Sequence, residues 1–141
     1  MAQDLFNNVR LARMISPISP AATGTINSQI VDRQGFNSVV VQIAAGAQGS
    51  GVTAVTPTIQ HSNTTTTGDF ADVDDADLIG TEAAASLAAA AGANKVAKIG
   101  YVGARRYVRL QLAVTGSATG VYSAVGILGA PIKAPQSAQI T

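Results

Sequence analysis

The charged side chains that could carry chemistry fall in two separate clusters. Six of the eight acidic residues lie between Asp69 and Glu82, and five of the nine basic residues lie between Lys95 and Arg109. Several carboxylates on one loop are what a calcium site requires. The acidic run does not have the spacing of an EF-hand loop, because Val73 and Ala76 interrupt it. It is therefore interpreted as a solvated turn or as a charged surface that docks a partner.

The basic cluster is open to the same two interpretations. Arg105 and Arg106 precede Tyr107 at the start of a predicted strand. They could form local ion pairs, including with the acidic run, or they could contact a partner, because Arg and Tyr are favoured at protein interfaces. The docking interpretation selects these candidate interface residues: Asp72, Asp74, Asp75, Asp77, Arg105, Arg106 and Arg109.

No motif of the sequence predicts an enzyme, a cofactor or a metal. His61 is the single histidine and there is no cysteine, so thiolate metal sites and disulfides are excluded. A serine nucleophile motif of the G-x-S-x-G type is absent. Gly100 and Gly103 lack the spacing and the βαβ setting of a dinucleotide-binding fingerprint. We expect a protein that catalyses nothing, with His61 on the surface or at a strand end.

The composition argues against nucleic-acid and membrane partners. Only 12% of the residues are charged and the net charge is +1, whereas phosphate binding needs clustered, uncompensated basic charge. There is no Trp, which disfavours a stacking platform for sugars or single strands. The longest weakly apolar run, Ala83 to Ala93, is far shorter than the ~20 residues of a membrane span. The first twenty residues have no apolar core of the signal-peptide type, so we expect synthesis in the cytoplasm.

Alternation of apolar and polar residues predicts an all-β fold. The clearest strand is Arg106 to Thr115, in which Val108, Leu110, Leu112 and Val114 are predicted to face the core. A second strand, Gly120 to Leu128, places Val121, Val125 and Ile127 on one face. The glycine-containing turn between these strands predicts a hairpin.

Further strand patterns bring the number to seven or eight, which is typical of a two-sheet sandwich. Ser38 to Ala45 is predicted to be a central strand, and Lys95 to Val102 another strand. Val52 to His61 is extended, with Pro57 indicating a sheet edge or a bulge. Two shorter alternations lie near the N-terminus, at residues 9–15 and 26–30.

Three segments depart from the strand pattern. Gly80 to Asn94 is alanine-rich and predicts a short helix or a loop, with Thr81 as its cap and Gly92 closing it in a left-handed conformation. Residues 1–24 and 130–141 carry prolines and small polar residues, and they are predicted to be extended arms of a single domain that spans 1–141.

Several stretches resemble a family of small virion proteins of tailed phages, the capsid cement or decoration proteins. The resemblance is carried by LFNNVRLARMISP (5–17), QGFNSVVVQI (34–43), SNTTTTGDFADVDDADLIG (62–80), KIGYVGARRYVRLQLAVTG (98–116) and GILGAPIKAP (126–135). It extends from about Leu5 to Pro135, and the alanine-rich Gly80–Asn94 segment is its least typical part.

The resemblance implies a jelly-roll-like β-sandwich, with at most one short helix, on the outside of an icosahedral shell. The implied partners are the major capsid protein and further copies of the chain, as a homodimer or a homotrimer. The alternatives are a receptor- or carbohydrate-binding sandwich of a phage tail or fibre, because jelly rolls also occur in lectins, and a small hydrolase that uses His61.

Overall fold

Ten strands form two antiparallel sheets that pack face to face within residues 4–87 and 92–136, the part of the chain that the computed structural model describes. The first sheet has the strand order β1-β10-β4-β8-β7. The second sheet has the order β2-β9-β5-β6, and β3 also pairs with β9. The strands are β1 (Val9–Ile18), β2 (Gly24–Asn27), β3 (Val31–Asp32), β4 (Phe36–Gln48), β5 (Ala54–Ser62), β6 (Ala71–Asp72), β7 (Leu78–Ile79), β8 (Lys95–Tyr101), β9 (Tyr107–Thr115) and β10 (Gly120–Pro131). Among the elements of the described residues, single turns of 3-10 helix lie at Phe6–Asn8, Thr67–Asp69 and Asp75–Asp77.

The strand pairing is that of a jelly roll. The pairs β1–β10, β2–β9, β4–β8 and β5–β6 are nested one inside the next along the chain, and all are antiparallel. Two such nested sets, one in each sheet, are the double Greek key of the jelly roll. The predicted fold class, an all-β sandwich with at most one short helix, is confirmed.

The inner faces of the two sheets supply the core. Val108, Leu110, Leu112 and Val114 of β9 are at most 1% exposed, as the alternation predicted. They belong to the same core cluster as Val39, Val41 and Ile43 of β4, which lies between β10 and β8 as the predicted central strand. Because strand side chains alternate in direction, each of these strands also presents an outer face.

Of the two predictions about the last strands, the hairpin is wrong and the shared face of Val121, Val125 and Ile127 is confirmed. β9 and β10 do not form a hairpin, because β9 belongs to the second sheet and β10 to the first. The turn between them crosses the edge of the sandwich, and Gly116 adopts a φ of 85° there. Val121, Val125 and Ile127 do share a face, but it is the outer one; Tyr122, Ala124 and Leu128 are buried instead.

The alanine-rich segment forms turns rather than an α-helix in its described part, and residues 88–91 lie outside the described chain. Thr81 does cap its start, since its hydroxyl accepts the Ala84 N–H at 3.1 Å. The left-handed residue near the other end is Asn94, with a φ of 54°. Gly92 is needed for space, because a Cβ there would collide with the backbone of Leu87.

This segment lies along the outer edge of β5 and explains the position of Pro57. The Leu87 N–H donates to the Val55 carbonyl at 3.0 Å, and the Ile59 N–H donates to the Glu82 carboxylate at 2.6 Å. Pro57 lies between these two positions, where its missing N–H leaves no donor to satisfy. The predicted edge position of Pro57 is confirmed.

The two segments predicted as arms are tied to the sandwich over their described residues. Val9–Ile18, within the segment 1–24, forms β1 and pairs with β10. Beyond β10, the Gln136 N–H donates to the Asn7 carbonyl at 2.8 Å. Residues 1–3 and 137–141 of the predicted arms lie outside the described residues, and the division into one domain with two extended arms stays a prediction.

Candidate interaction surfaces

An apolar row of residues crosses the outer face of the first sheet. The strand register places the residues of this row side by side, one from each strand, and Leu11 and Ile79 at its two ends are 51% and 64% exposed. At Gly100 the row has no side chain of its own, and the side chain of Ile79 lies over the gap. The members of the row are Leu11, Ile127, Val40, Gly100 and Ile79.

The rest of this face is mixed, since the neighbouring row consists of Arg13, Val125, Gln42 and Lys98. Val96 is 67% exposed and Val121 is 42% exposed, and Val125 is half-buried between its neighbours. Within the described strands the charges on this face are those of Arg13 and Lys98, both basic. We call this surface the apolar face. An exposed apolar patch that spans a whole sheet marks an interaction site in soluble proteins.

The outer face of the second sheet is polar and is hydrogen-bonded to itself. The row Asn27–Gln111–Thr58 crosses β2, β9 and β5, and the Gln111 amide donates to the Asn27 side-chain oxygen at 2.9 Å. The neighbouring row places Thr25 and Thr56 on either side of β9. We call this surface the polar face.

Two of the seven candidate interface residues are built into the polar face. The Arg109 side chain is 8% exposed and donates to the Gln60 side-chain oxygen at 2.7 Å. The Gln60 amide in turn donates to the Asp72 carboxylate at 2.7 Å. The Phe70 ring covers the Arg109 guanidinium, with 4.4 Å between the guanidinium carbon and the ring centre. The hydrogen bonds of Arg109, Gln60 and Asp72, together with the Phe70 contact, hold the loop before β6 against the sheet.

Arg106 has a partner that the sequence did not indicate. Its guanidinium forms two hydrogen bonds with the Asp32 carboxylate, at 2.9 and 2.7 Å, and no ion pair with the acidic run. These bonds lower the pKa of Asp32 and raise that of Arg106. Arg106 therefore forms the local ion pair that the sequence suggested, with Asp32 and not with the acidic run.

The Tyr101 side chain lies close to three further residues that can carry charge, His61, Arg105 and Arg33. The Tyr101 hydroxyl is 3.0 Å from the His61 Nδ1 and accepts the Arg105 N–H at 3.1 Å. The Arg33 guanidinium lies 5.6 Å from the Tyr101 ring centre, and its Nε–H donates to the Arg105 carbonyl at 2.6 Å. Burial raises the pKa of Tyr101. Burial, and then the positive charge of Arg105, lowers the pKa of His61, against an opposite effect of Asp77 and Asp74.

The acidic residues Asp74, Asp75 and Asp77 lie beside this group. They form the 3-10 turn between β6 and β7, and the Val102 N–H donates to the Asp77 carbonyl at 2.9 Å. Asp74 and Asp75 are exposed. Among residues 4–87 and 92–136, neither they nor Arg105 take part in an ion pair. Sequence reasoning found these three residues but missed Arg33, which is 72 residues from Arg105 along the chain and has no local motif.

The part of the chain that the structure describes has a groove beside β1 and no metal site. No three His, Asp or Glu side chains in this part of the chain are placed to hold a metal ion. No helix formed by these residues has the length and apolar character that crossing a membrane requires. A groove of about 550 Å³ lies beside β1, and its described lining includes Arg10, Gln29 and Gln34 but no aromatic residue.

Comparisons with known proteins give a fold likeness and no family. No protein-family model and no curated protein matches the chain. One similar solved structure is that of the SPBc2 prophage-derived protein YomS, with 12% sequence identity and a TM-score of 0.49, covering 87% of this chain and 94% of that chain. Another is the Clostridium thermocellum endo-1,4-beta-D-xylanase 10B, comprising CBM22-1 and GH10 modules, complexed with xylohexaose. It is 9% identical with a TM-score of 0.40, covering 94% of this chain and 28% of that chain. Neither likeness carries an argument about function.

Proposed function

We propose that this chain is a structural virion protein, a capsid cement or decoration protein that binds the outside of the assembled shell and clamps neighbouring major capsid subunits. Its place is the capsid exterior, after synthesis in the host cytoplasm. It catalyses nothing and needs no cofactor. The observation that carries the proposal is the apolar face, on which a row of apolar residues crosses all five strands of the first sheet and Ile79 and Val96 are more than 60% exposed.

The apolar face suits a protein partner better than a small molecule. Small-molecule sites are concave, whereas this face is the outer surface of a sheet. Its two charges, Arg13 and Lys98, are both basic, so a matching partner surface is apolar with carboxylates at its rim. A protein that binds only the assembled shell stabilises the shell by mass action. Repetition of the contact over an icosahedral lattice adds avidity without requiring a strong single interface.

The alternative function, a receptor- or carbohydrate-binding module of a tail or fibre, has the polar groove beside β1 in its favour. Guanidinium and amide groups such as those of Arg10 and Gln29 can bind sugar hydroxyls. Against it stands the placement of the aromatic residues. Phe36, Phe70, Tyr101 and Tyr122 are buried, and Tyr107 is half-buried beneath the Arg106 guanidinium. The exposed ring is that of Phe6, at 72%, and it lies in the 3-10 turn before β1, outside the strands of both sheets.

A charge-insertion experiment tests the proposal. Purified shells of the major capsid protein encoded in the same genome are mixed with the protein and with the double variant Ile79→Asp/Val96→Asp, which places two carboxylates on the apolar face. The matched control is Thr25→Asp/Thr56→Asp on the polar face. We expect the first variant to lose at least about tenfold in shell affinity and the control to bind as the wild type does.

The stability of the shells separates the two functions. Shells that carry the wild-type protein should withstand heating and osmotic shock better than bare shells. If the wild-type protein does not bind the shells, or if shells that carry it are as fragile as bare shells, the cement function is wrong. Specific hits of the wild type on a glycan array, lost in Arg10→Ala/Gln29→Ala, would then support the alternative.

A further inference from the structure

We propose that the open edge of β8 binds an extended, acidic segment of a partner protein, which adds to the first sheet as an antiparallel strand in line with β7. The open edge is the side of residues 95–98 that faces away from β4. The inference concerns a backbone edge, and it holds whether or not the partner is a capsid subunit.

β7 covers only the far end of β8. Its two residues pair with Gly100 and Tyr101, so the first residues of β8 have a partner strand on the β4 side alone. Within the described part of the chain, no backbone hydrogen bond reaches their other edge. Gly80, with a φ of 88°, turns the chain away directly after β7. The chain then follows β5 instead, where Glu82 and Leu87 bond its backbone.

The unpaired backbone groups of the open edge belong to Val96 and Lys98. The Val102 N–H donates to the Asp77 carbonyl at 2.9 Å, so Val102 directs its backbone groups toward the β7 side. Because this direction alternates along an antiparallel strand, Gly100, Lys98 and Val96 direct theirs to the same side. Beyond β7, Val96 and Lys98 therefore each present an N–H and a carbonyl that lack a partner strand.

The open edge borders a groove of about 470 Å³. Its described lining combines residues 95–98 of β8 with small residues of the alanine-rich segment, among them Thr81, Ala84 and Ala85. The edge is thus reachable by a chain that enters the groove.

The side chains along the groove select an acidic segment. Lys95 and Lys98 are exposed, and neither forms an ion pair with another described residue. The Glu82 carboxylate of the alanine-rich segment is bonded to the Ile59 N–H. Val96 follows Lys95 in the strand and is 67% exposed, so it offers an apolar contact beside the two charges. Carboxylates on an added strand would pair with the lysines across the two strands.

A strand of another protein is the occupant that satisfies this edge. Strand addition supplies a donor and an acceptor at every second residue, and the alternate side chains give specificity. The phosphates of a nucleic acid or a lipid accept hydrogen bonds only, so the edge carbonyls would stay unpaired. A second copy of the same edge would bring its own lysines against these two and be repelled.

A nuclear magnetic resonance titration of the isotope-labelled full chain tests the inference. The probe is the synthetic peptide acetyl-TEVVET-amide, whose glutamates face Lys98 and Lys95 when the peptide continues the register of β7. Two N-methylated forms of the probe are a matched pair. Methylation of the first glutamate and the second valine removes the N–H groups that face β8. Methylation of the first valine and the second glutamate removes those that face away.

We expect saturable binding, with amide hydrogen exchange of Val96 and Lys98 slowed at least about tenfold by the probe. The form methylated on the side of β8 should bind at least about tenfold more weakly, and the other form should bind as the probe does. Absence of saturable binding at about 1 mM probe overturns the proposal. Equal weakening by the two methylated forms overturns it as well.

A charge swap tests the role of the lysines. Lys95→Glu/Lys98→Glu should bind acetyl-TKVVKT-amide at least about tenfold more tightly than the probe, the reverse of the wild-type preference. The control Thr25→Glu/Thr56→Glu, on the polar face, should keep the wild-type preference. Melting curves establish that both variants fold. A swap variant that keeps the wild-type preference, or shift changes centred on another surface, would show the proposal to be wrong.

Discussion

The two outer faces of the sandwich are built on the same strand geometry and differ in what happens to their side chains. On the polar face, side chains bond one another across the strands, as Gln111 does with Asn27 and Arg109 with Gln60. On the apolar face, Ile79 and Val96 remain more than 60% exposed. Because the polar face pairs its side chains within one chain whereas the apolar face leaves apolar side chains exposed, the apolar face is the side on which the proposed partner would bind.

The largest effect is expected where the inner and outer sides of a single strand are compared. Leu110→Ala should lower the free energy of unfolding by ~2–5 kcal/mol, because the Leu110 side chain is fully buried and its removal leaves a cavity. Gln111→Ala, one residue along on the polar face, should cost about 1 kcal/mol or less. Reversible urea denaturation measures both. Equal losses would show that the two sides of β9 are not distinguished as described.

A smaller loss of unfolding free energy is expected on breaking the hydrogen bonds that link Arg109, Gln60 and Asp72 on the polar face. Gln60→Leu removes the acceptor of Arg109 and the donor to Asp72, so a buried guanidinium loses its partner. We expect a loss of about 1–3 kcal/mol in unfolding free energy. Thr58→Leu, at the neighbouring outward position of β5, is the control and should change stability by less than about 1 kcal/mol. If Gln60→Leu left the free energy of unfolding unchanged, this network would not be what stabilises the polar face.

The apolar face should tolerate polar substitution with still less change. The triple variant Ile79→Thr/Val96→Thr/Val121→Thr should alter the unfolding free energy by roughly 1 kcal/mol or less, because all three side chains are exposed and β-branched residues suit strands. Retention on a hydrophobic-interaction column should fall clearly. If stability collapsed instead, these residues would be supporting the fold and would not be a surface reserved for a partner.

The smallest expected effect is a pH dependence of stability that comes from His61, at one end of the sandwich. The pKa of His61 is lowered in the folded chain, chiefly by burial. The unfolded chain therefore takes up a proton first as the pH falls, and stability that is present above the ordinary histidine pKa of about 6.5 is lost below it. His61→Gln should remove this slope between about pH 7 and pH 5. Melting temperatures of both proteins across that range measure it, and parallel curves would contradict it.

The strand patterns were sufficient for the fold class and for the core of β9. They could not give the partner of each strand, because alternation identifies two faces without saying which sheet a strand joins. This is why a hairpin was predicted across Gly116, where the chain instead crosses between sheets. The same limit explains why the outer position of Val121 was not predicted: a strand with small and apolar residues on both sides has no hydropathic signal for its inner face.

The candidate interface residues were chosen from charge clustering alone, and the structure divides them. Asp72 and Arg109 meet through Gln60, a contact between three separate strands that no local spacing reveals. Arg106 is neutralised by Asp32 from β3. What clustering identified well was the exposed acidic turn at Asp74 and Asp75, because consecutive carboxylates in a turn stay solvated. The role of these residues in docking stays a prediction.

The alanine-rich segment along the outer edge of β5 protects this edge from pairing with a strand of another copy. An uncovered edge strand is a template onto which another chain can add its own strand, and such growth has no natural end. Here Leu87 and Glu82 occupy the outward backbone groups of Val55 and Ile59, and Pro57 offers no donor between them. Copies of the chain can therefore reach high concentration, in a cell or on a lattice, without this edge seeding fibres.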